Sequence, residues 1–95
     1  MKAYESLSRF ALKHQHTVSV FDGEEWQITF CDKLKPIIEA VESVEEAALR
    51  IHDSKGATAV NSVTVSAFGL DDDETVIDYT CTPFMTAWET AEGTI

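Results

Sequence analysis

The sequence predicts an α+β fold: one small domain, residues 1–95, with a four-stranded antiparallel sheet and helices packed on one face. Two observations lead to this prediction, namely two hairpin-like segments of alternating polarity and the helix-period segments that flank them. The predicted element order is α-β-β-α-β-β-α. At 44% hydrophobic and 25% charged residues, the chain has the composition of a globular domain, and its length allows one modest core.

An amphipathic helix is predicted over residues 3–14. Its apolar side chains recur every three or four residues, as one buried helix face requires: Tyr4, Leu7, Ala11 and His14, with Phe10 beside them. The next segment, residues 17–30, alternates apolar and polar residues on both sides of Asp22 and Gly23. Period-two strands around an Asp-Gly pair are typical of a β-hairpin.

A second helix is predicted to start after Asp32, a residue type that caps helix N-termini. Residues 44–52 then fit two structures. As a helix, they would begin with a capping box formed by Ser43 and Glu46. As a strand, residues 46–52 with their alternating apolar side chains would pair, across the turn sequence "DSKG", with the β-branched run at 58–68. We predict the hairpin.

Four adjacent acids follow that run: Asp71, Asp72, Asp73 and Glu74. The favoured interpretation is a helix start, in which Asp71 caps the helix and Glu74 closes a capping box. The alternative is a loop followed by a strand through "TVIDYT". A last helix is predicted to begin at Pro83, after an N-cap at Thr82, and to be anchored in the core by Trp88.

The charge of the chain limits its partners. The formal net charge is −10, with 17 acids against seven basic residues, and every Lys and Arg lies at or before Lys55. Direct contact with nucleic acid or with an anionic membrane is therefore disfavoured, and a protein with a basic surface is the expected partner. The candidate partner-binding residues are Asp71, Asp72, Asp73, Glu74, Asp78, Glu39 and Glu42.

No motif predicts catalysis, a metal or a cofactor. The adjacent acids lack the alternating spacing of a calcium loop, and no CxxC or HxxxH pair supports zinc. A GxSxG motif and a glycine-rich phosphate loop are also absent. Cys31 and Cys81 are expected to be reduced, inert thiols, and His52 is expected to be a surface or edge residue. Without an apolar run of 18 residues or a signal sequence, a cytosolic location is expected.

The segments "TVSVFDGEEW", "IIEAVESVEEA" and "DETVIDYT" resemble small acidic proteins of unknown function encoded by phages and prophages. The resemblance covers about residues 17–88 and implies an accessory protein of the host cytosol. Many phage proteins of this size bind and disable a host defence or nucleic-acid enzyme, and some are acidic nucleic-acid mimics. The resemblance implies no functional residues.

The sequence is compatible with three functions. The first is a non-enzymatic accessory protein that inhibits a host nucleic-acid-binding or defence protein through a negatively charged surface. The second is a regulatory module that forms a homodimer through a sheet face or edge. The third is a small enzyme or ligand-binding protein. A contiguous acidic face would favour the first, an exposed apolar patch the second, and a deep polar pocket the third.

Overall fold

The computed structural model describes residues 2–65 and 75–92. The elements follow in the order α1 (Ala3–Lys13), β1 (Thr17–Phe21), β2 (Trp26–Cys31), α2 (Leu34–Glu42), β3 (Glu46–His52), β4 (Thr58–Val65), β5 (Val76–Tyr79) and α3 (Pro83–Glu92). The strands form one antiparallel sheet in the order β2-β1-β3-β4-β5. The predicted α+β class is confirmed, but the sheet has five strands in the described part of the chain instead of four.

The additional strand is β5, the alternative that the sequence interpretation ranked second. It pairs with β4, with Val76 opposite Thr64 and Tyr79 opposite Ser62. Just before it, the Thr75 carbonyl accepts the Thr64 hydroxyl at 3.1 Å. The β-branched residues of this segment favour a strand once β4 offers a partner. The helix start predicted for residues 71–74 lies outside the described residues.

Both predicted hairpins are present, and both turns are closed by an aspartate. In the first turn, Asp22 Oδ1 accepts two backbone N–H groups at 2.8 Å each. In the second, Asp53 Oδ1 accepts two backbone N–H groups at 2.8 and 3.0 Å. Gly23 and Gly56 supply the positive φ angles, 104° and 86°. The choice of a strand for residues 46–52 is thus confirmed.

The N-cap of helix α2 differs from the prediction. Lys33, and not Asp32, occupies the N-cap position, and no side chain caps the helix there. At the other end, the Ser43 hydroxyl donates to the Ala40 carbonyl at 2.7 Å instead of opening a new helix. The chain can then enter β3, where pairing with both β1 and β4 satisfies its backbone on two sides.

The core lies between the helices and one face of the sheet. Its buried members from the sheet alternate with outward residues, as on any half-buried strand: Val18, Val20, Ala47, Leu49, Ile51 and Val60. Helix α3 is attached as predicted, because Trp88 is buried and its indole N–H donates to the Ser6 hydroxyl at 3.1 Å. In the described chain, all three helices lie on this face.

Candidate functional site

The acids predicted to bind a partner are divided between two sides of the molecule. Glu39 and Glu42 lie on α2, in the helix layer. Asp78 lies on β5, paired with Val63 on the other face of the sheet. Asp71, Asp72, Asp73 and Glu74 fall outside the described residues. Within residues 2–65 and 75–92, the structure therefore does not bring the predicted acids together on one surface.

The two α2 acids have contacts within the fold. Glu42 Oε2 accepts the Tyr4 hydroxyl at 2.6 Å, which links α2 to α1. Glu39 lies 4.0 Å from the Lys35 ammonium, with its side chain 66% exposed. An exposed pair of this kind contributes little to stability. Glu42 thus has a structural contact that a partner would have to displace, whereas Glu39 remains accessible.

The face of the sheet opposite the helices, called the open face below, is the second candidate surface. It is built from the strand residues that alternate with the core side chains. The exposed large hydrophobic residues of the described chain all lie on the two edge strands: Trp26 (41% exposed) and Phe30 (57%) on β2, and Ile77 (54%) on β5. Large exposed apolar side chains on a regular surface are typical of interaction sites.

One row of paired residues crosses the open face from edge to edge. In strand order it consists of Trp26, Phe21, Ala48, Val63 and Asp78. The Trp26 and Phe21 rings lie 5.0 Å apart between centroids. With neighbouring strands about 4.8 Å apart, this apolar row is about 19 Å long. It is apolar over four strands and ends in a carboxylate on the fifth.

Next to the apolar row lies a second row of paired residues, in which Arg50 is opposite Ser19 on β1 and Asn61 on β4. Its guanidinium carbon lies 5.0 Å from the Trp26 ring centroid, and its Nε donates to Asn61 Oδ1 at 2.8 Å. No carboxylate among the described residues forms an ion pair with it. The cation–π contact with Trp26 on β2 and the hydrogen bond to Asn61 on β4 hold the Arg50 guanidinium between these two side chains on the open face.

Two recesses border the apolar row, because Ala48 contributes only a methyl group to its centre. The larger one, the β4–β5 recess, has a volume of about 290 Å³ and is lined by Ala48, Asn61, Ser62, Val63, Asp78, Tyr79 and Thr80. The smaller one has about 90 Å³ and is lined by Phe21, Asp22, Gly23, Glu46, Ala47, Ala48 and Val63. Both have an apolar floor formed by Ala48 and Val63.

Carboxylates border these recesses. Asp22 and Glu46 line the smaller recess, and Asp78 lines the larger one. Hydrogen bonds from the N–H groups of Glu25 and then Glu24 lower the pKa of Asp22, so this carboxyl stays ionised. The open face thus combines an apolar centre with a negative border.

The expectation that His52 is a surface residue is wrong. His52 is 4% exposed, and its Nε2 lies 2.8 Å from the Ser19 hydroxyl oxygen, which also accepts the Phe30 N–H at 2.9 Å. The Phe30 ring stacks on the imidazole at 4.2 Å between centroids and covers it. Alternation alone places His52 on the open face, and only the tertiary position of Phe30 buries it there.

A serine beside a histidine has the elements of a nucleophile and a base, but this pair is closed to a substrate. Ser19 is 1% exposed. Burial, and then the charge of Arg50, lower the pKa of His52, which keeps its ring neutral. In the described part of the chain, His52 Nδ1 has no hydrogen-bond partner, so no third group orients the ring as a catalytic base requires.

The sequence interpretation gave an exposed sheet face only in its second function and named no residues for it, although a signal for them was present. Once 17–21 and 46–52 are strands, one set of alternating residues faces the helices and the other faces away. The outward set includes Phe21 and Ala48, and Trp26 belongs to the same row. Apolar residues in the outward set indicate a binding surface.

Residues 2–65 and 75–92 contain no group of three or more His, Cys, Asp or Glu side chains placed to hold a metal, and both thiols are free. None of the described helices is long and apolar enough to cross a bilayer. No protein-family model, curated protein or solved structure matches this chain.

Proposed function

We propose that this chain is a non-enzymatic binding protein whose open face contacts a partner protein with a basic surface. The observation that carries the proposal is the apolar row, which runs from Trp26 to Asp78 between carboxylates. Apolar contact would supply affinity, and the negative border would select and attract a positively charged partner. The net charge of −10 supports the same choice of partner.

The biological role we propose is that of a phage or mobile-element accessory factor in the host cytosol. It would inhibit a host nucleic-acid-binding or defence protein by stoichiometric contact. The resemblance of residues 17–88 to acidic phage proteins and the excess of acids support this role. Such a host protein has a basic groove, and an acidic protein can occupy it in place of nucleic acid.

A second candidate function is a homodimer formed through the open face. The exposed Trp26 and Phe30 side chains favour it, since apolar surface of this kind is often covered by a second copy. The negative border opposes it, because two copies would bring like charges together. Sedimentation equilibrium at low and high salt distinguishes the two candidates. A monomer at both salt concentrations excludes the dimer.

Affinity purification from the native host, with two matched variants, tests the first candidate. Val63→Lys places a charge within the apolar row, whereas Glu39→Gln alters the helix side and changes the net charge by the same amount. Far-UV circular dichroism first establishes that both variants fold. We expect the partner to be lost with Val63→Lys and retained with Glu39→Gln. Retention by both variants refutes the open face as the contact surface.

A further inference from the structure

We propose that the β4–β5 recess receives an arginine side chain of the partner protein. This inference rests on the proposed function and deepens it, because it names the chemical group recognised at one end of the apolar row. The recess has room for such a group at about 290 Å³, and it lies open on the sheet surface beside the edge strand.

The charge in the recess comes from Asp78. Its Oδ1 accepts the N–H of Tyr79 at 2.9 Å, which fixes the carboxylate on the strand and leaves Oδ2 available. No Lys or Arg among the described residues forms an ion pair with it. Arg50 does not serve as its counter-ion: its guanidinium contacts the Trp26 ring, and its Nε donates to Asn61 Oδ1 on the wall of the recess and not to Asp78.

The other walls fit a guanidinium better than an ammonium. Ala48 and Val63 form an apolar floor on which a planar, weakly hydrated group can lie. The Thr80 hydroxyl, which donates to the Asn61 carbonyl at 3.3 Å, keeps its own oxygen as a further acceptor at the rim. Arginine presents several N–H donors in one plane and can reach a carboxylate and a hydroxyl together. The compact ammonium of lysine cannot cover the apolar floor.

The arrangement also sets the polarity of the partner segment. The row is about 19 Å long, which about six residues of extended chain span. Apolar side chains of the partner would lie over Phe21 and Trp26, where a second cation would meet Arg50. The arginine would lie at the β5 end, where Asp78 is the nearest charge on the row.

Nuclear magnetic resonance titration of the full chain tests the assignment with defined probes. The first probe is N-acetyl-arginine N-methylamide, and the matched controls are its neutral citrulline analogue and its lysine analogue. We expect the arginine probe to shift the amide signals of Val63, Asp78 and Thr80 in a saturable manner. The citrulline analogue should leave them in place, and the lysine analogue should bind more weakly.

Two variants connect the shifts to the recess. Asp78→Asn removes the carboxylate charge and should weaken binding of the arginine probe by up to about fivefold, the range of a single exposed ion pair. Ala48→Leu fills the floor without changing charge and should also weaken it, whereas Glu5→Gln, on α1 in the helix layer, should leave it unchanged. Equal binding of the citrulline or lysine analogue, or shifts that Asp78→Asn does not alter, would overturn the assignment. These titrations contain no partner protein, so their failure would refute the arginine assignment alone. The proposed open-face contact would still be tested separately by the Val63→Lys purification.

Discussion

Phe30 has a backbone conformation that glycine would adopt more easily. Its φ angle is 48°, in the left-handed region where the Cβ atom crowds the backbone at a cost of about 1–2 kcal/mol. Glycine avoids this cost but loses about 0.5–1 kcal/mol because its unfolded chain is more flexible. We therefore expect Phe30→Gly to be more stable than Phe30→Ala by about 0.5–1 kcal/mol. Both variants lack the ring, so its contact with His52 cancels in the comparison.

Gln27 supplies the control on the same strand. It is exposed, and among the described non-glycine residues only Gln15 and Phe30 have positive φ angles. Gln27→Ala is therefore expected to be more stable than Gln27→Gly by about 0.5–1 kcal/mol, the usual order in a strand. Both substitutions remove the hydrogen bond that Gln27 Nε2 donates to Asp22. The difference between the two Ala/Gly comparisons, about 1–2 kcal/mol, then measures the backbone strain at Phe30.

Urea unfolding of the four variants, followed by far-UV circular dichroism, gives the free energies directly. Thermal unfolding gives an independent measure, since a domain of this size changes its Tm by about 4–8 °C for each kcal/mol. If alanine is more stable than glycine by the same amount at both positions, Phe30 carries no strain and the reasoning is wrong.

Three other perturbations test contacts of the fold. Tyr4→Phe removes the hydrogen bond to the Glu42 carboxylate and should lower the free energy of unfolding by about 1 kcal/mol. In the double variant with Glu42→Gln the loss should be little larger, and a loss equal to the sum of the two single variants would contradict the contact. Trp88→Phe leaves its hydroxyl partner buried without the indole N–H and should cost about 1–2 kcal/mol in urea unfolding; an unchanged midpoint would show that this bond contributes nothing. Burial and the nearby guanidinium hold the pKa of folded His52 below its ordinary 6.5, so the unfolded chain binds more protons as the pH falls below that value. The contribution of His52 to the free energy of unfolding is then fully present above about pH 6.5 and decreases toward the folded pKa by at most about 1.4 kcal/mol per pH unit. In urea unfolding at several pH values, His52→Gln should lose this pH dependence and His14→Gln should keep it. An equal slope in the parent protein and both variants would refute the burial argument.

The parts of the fold that local chemistry determines were predictable from the sequence. The Asp22 and Asp53 turns each have an aspartate and a glycine at the positions that the turn requires, and both hairpins are present. The strand β5 was harder to predict, because the run of acids before it favours a helix start. Only the unpaired edge of β4 decides in favour of a strand, and that edge is a tertiary feature.

The candidate site was harder to predict because it depends on register. Sequence alone ranks Glu39 and Asp78 as equivalent acids, yet they lie in different layers of the molecule. The burial of His52 depends on the ring of Phe30, which comes from a neighbouring hairpin and reaches it through an unusual backbone conformation. Neither relation follows from composition or from the spacing of residues along the chain.

The order of the strands also determines how this chain must assemble. Strands β1 and β2 form one local hairpin, and β3, β4 and β5 pair with their neighbours in sequence. The pairing of β1 with β3 joins these two units, and the intervening loop contains β2 and all of α2. Closing that loop costs chain entropy before its contacts form, so we expect this pairing to be the slow, non-local step of folding. Substitutions at the β1–β3 junction should therefore change the folding rate more than substitutions in either turn.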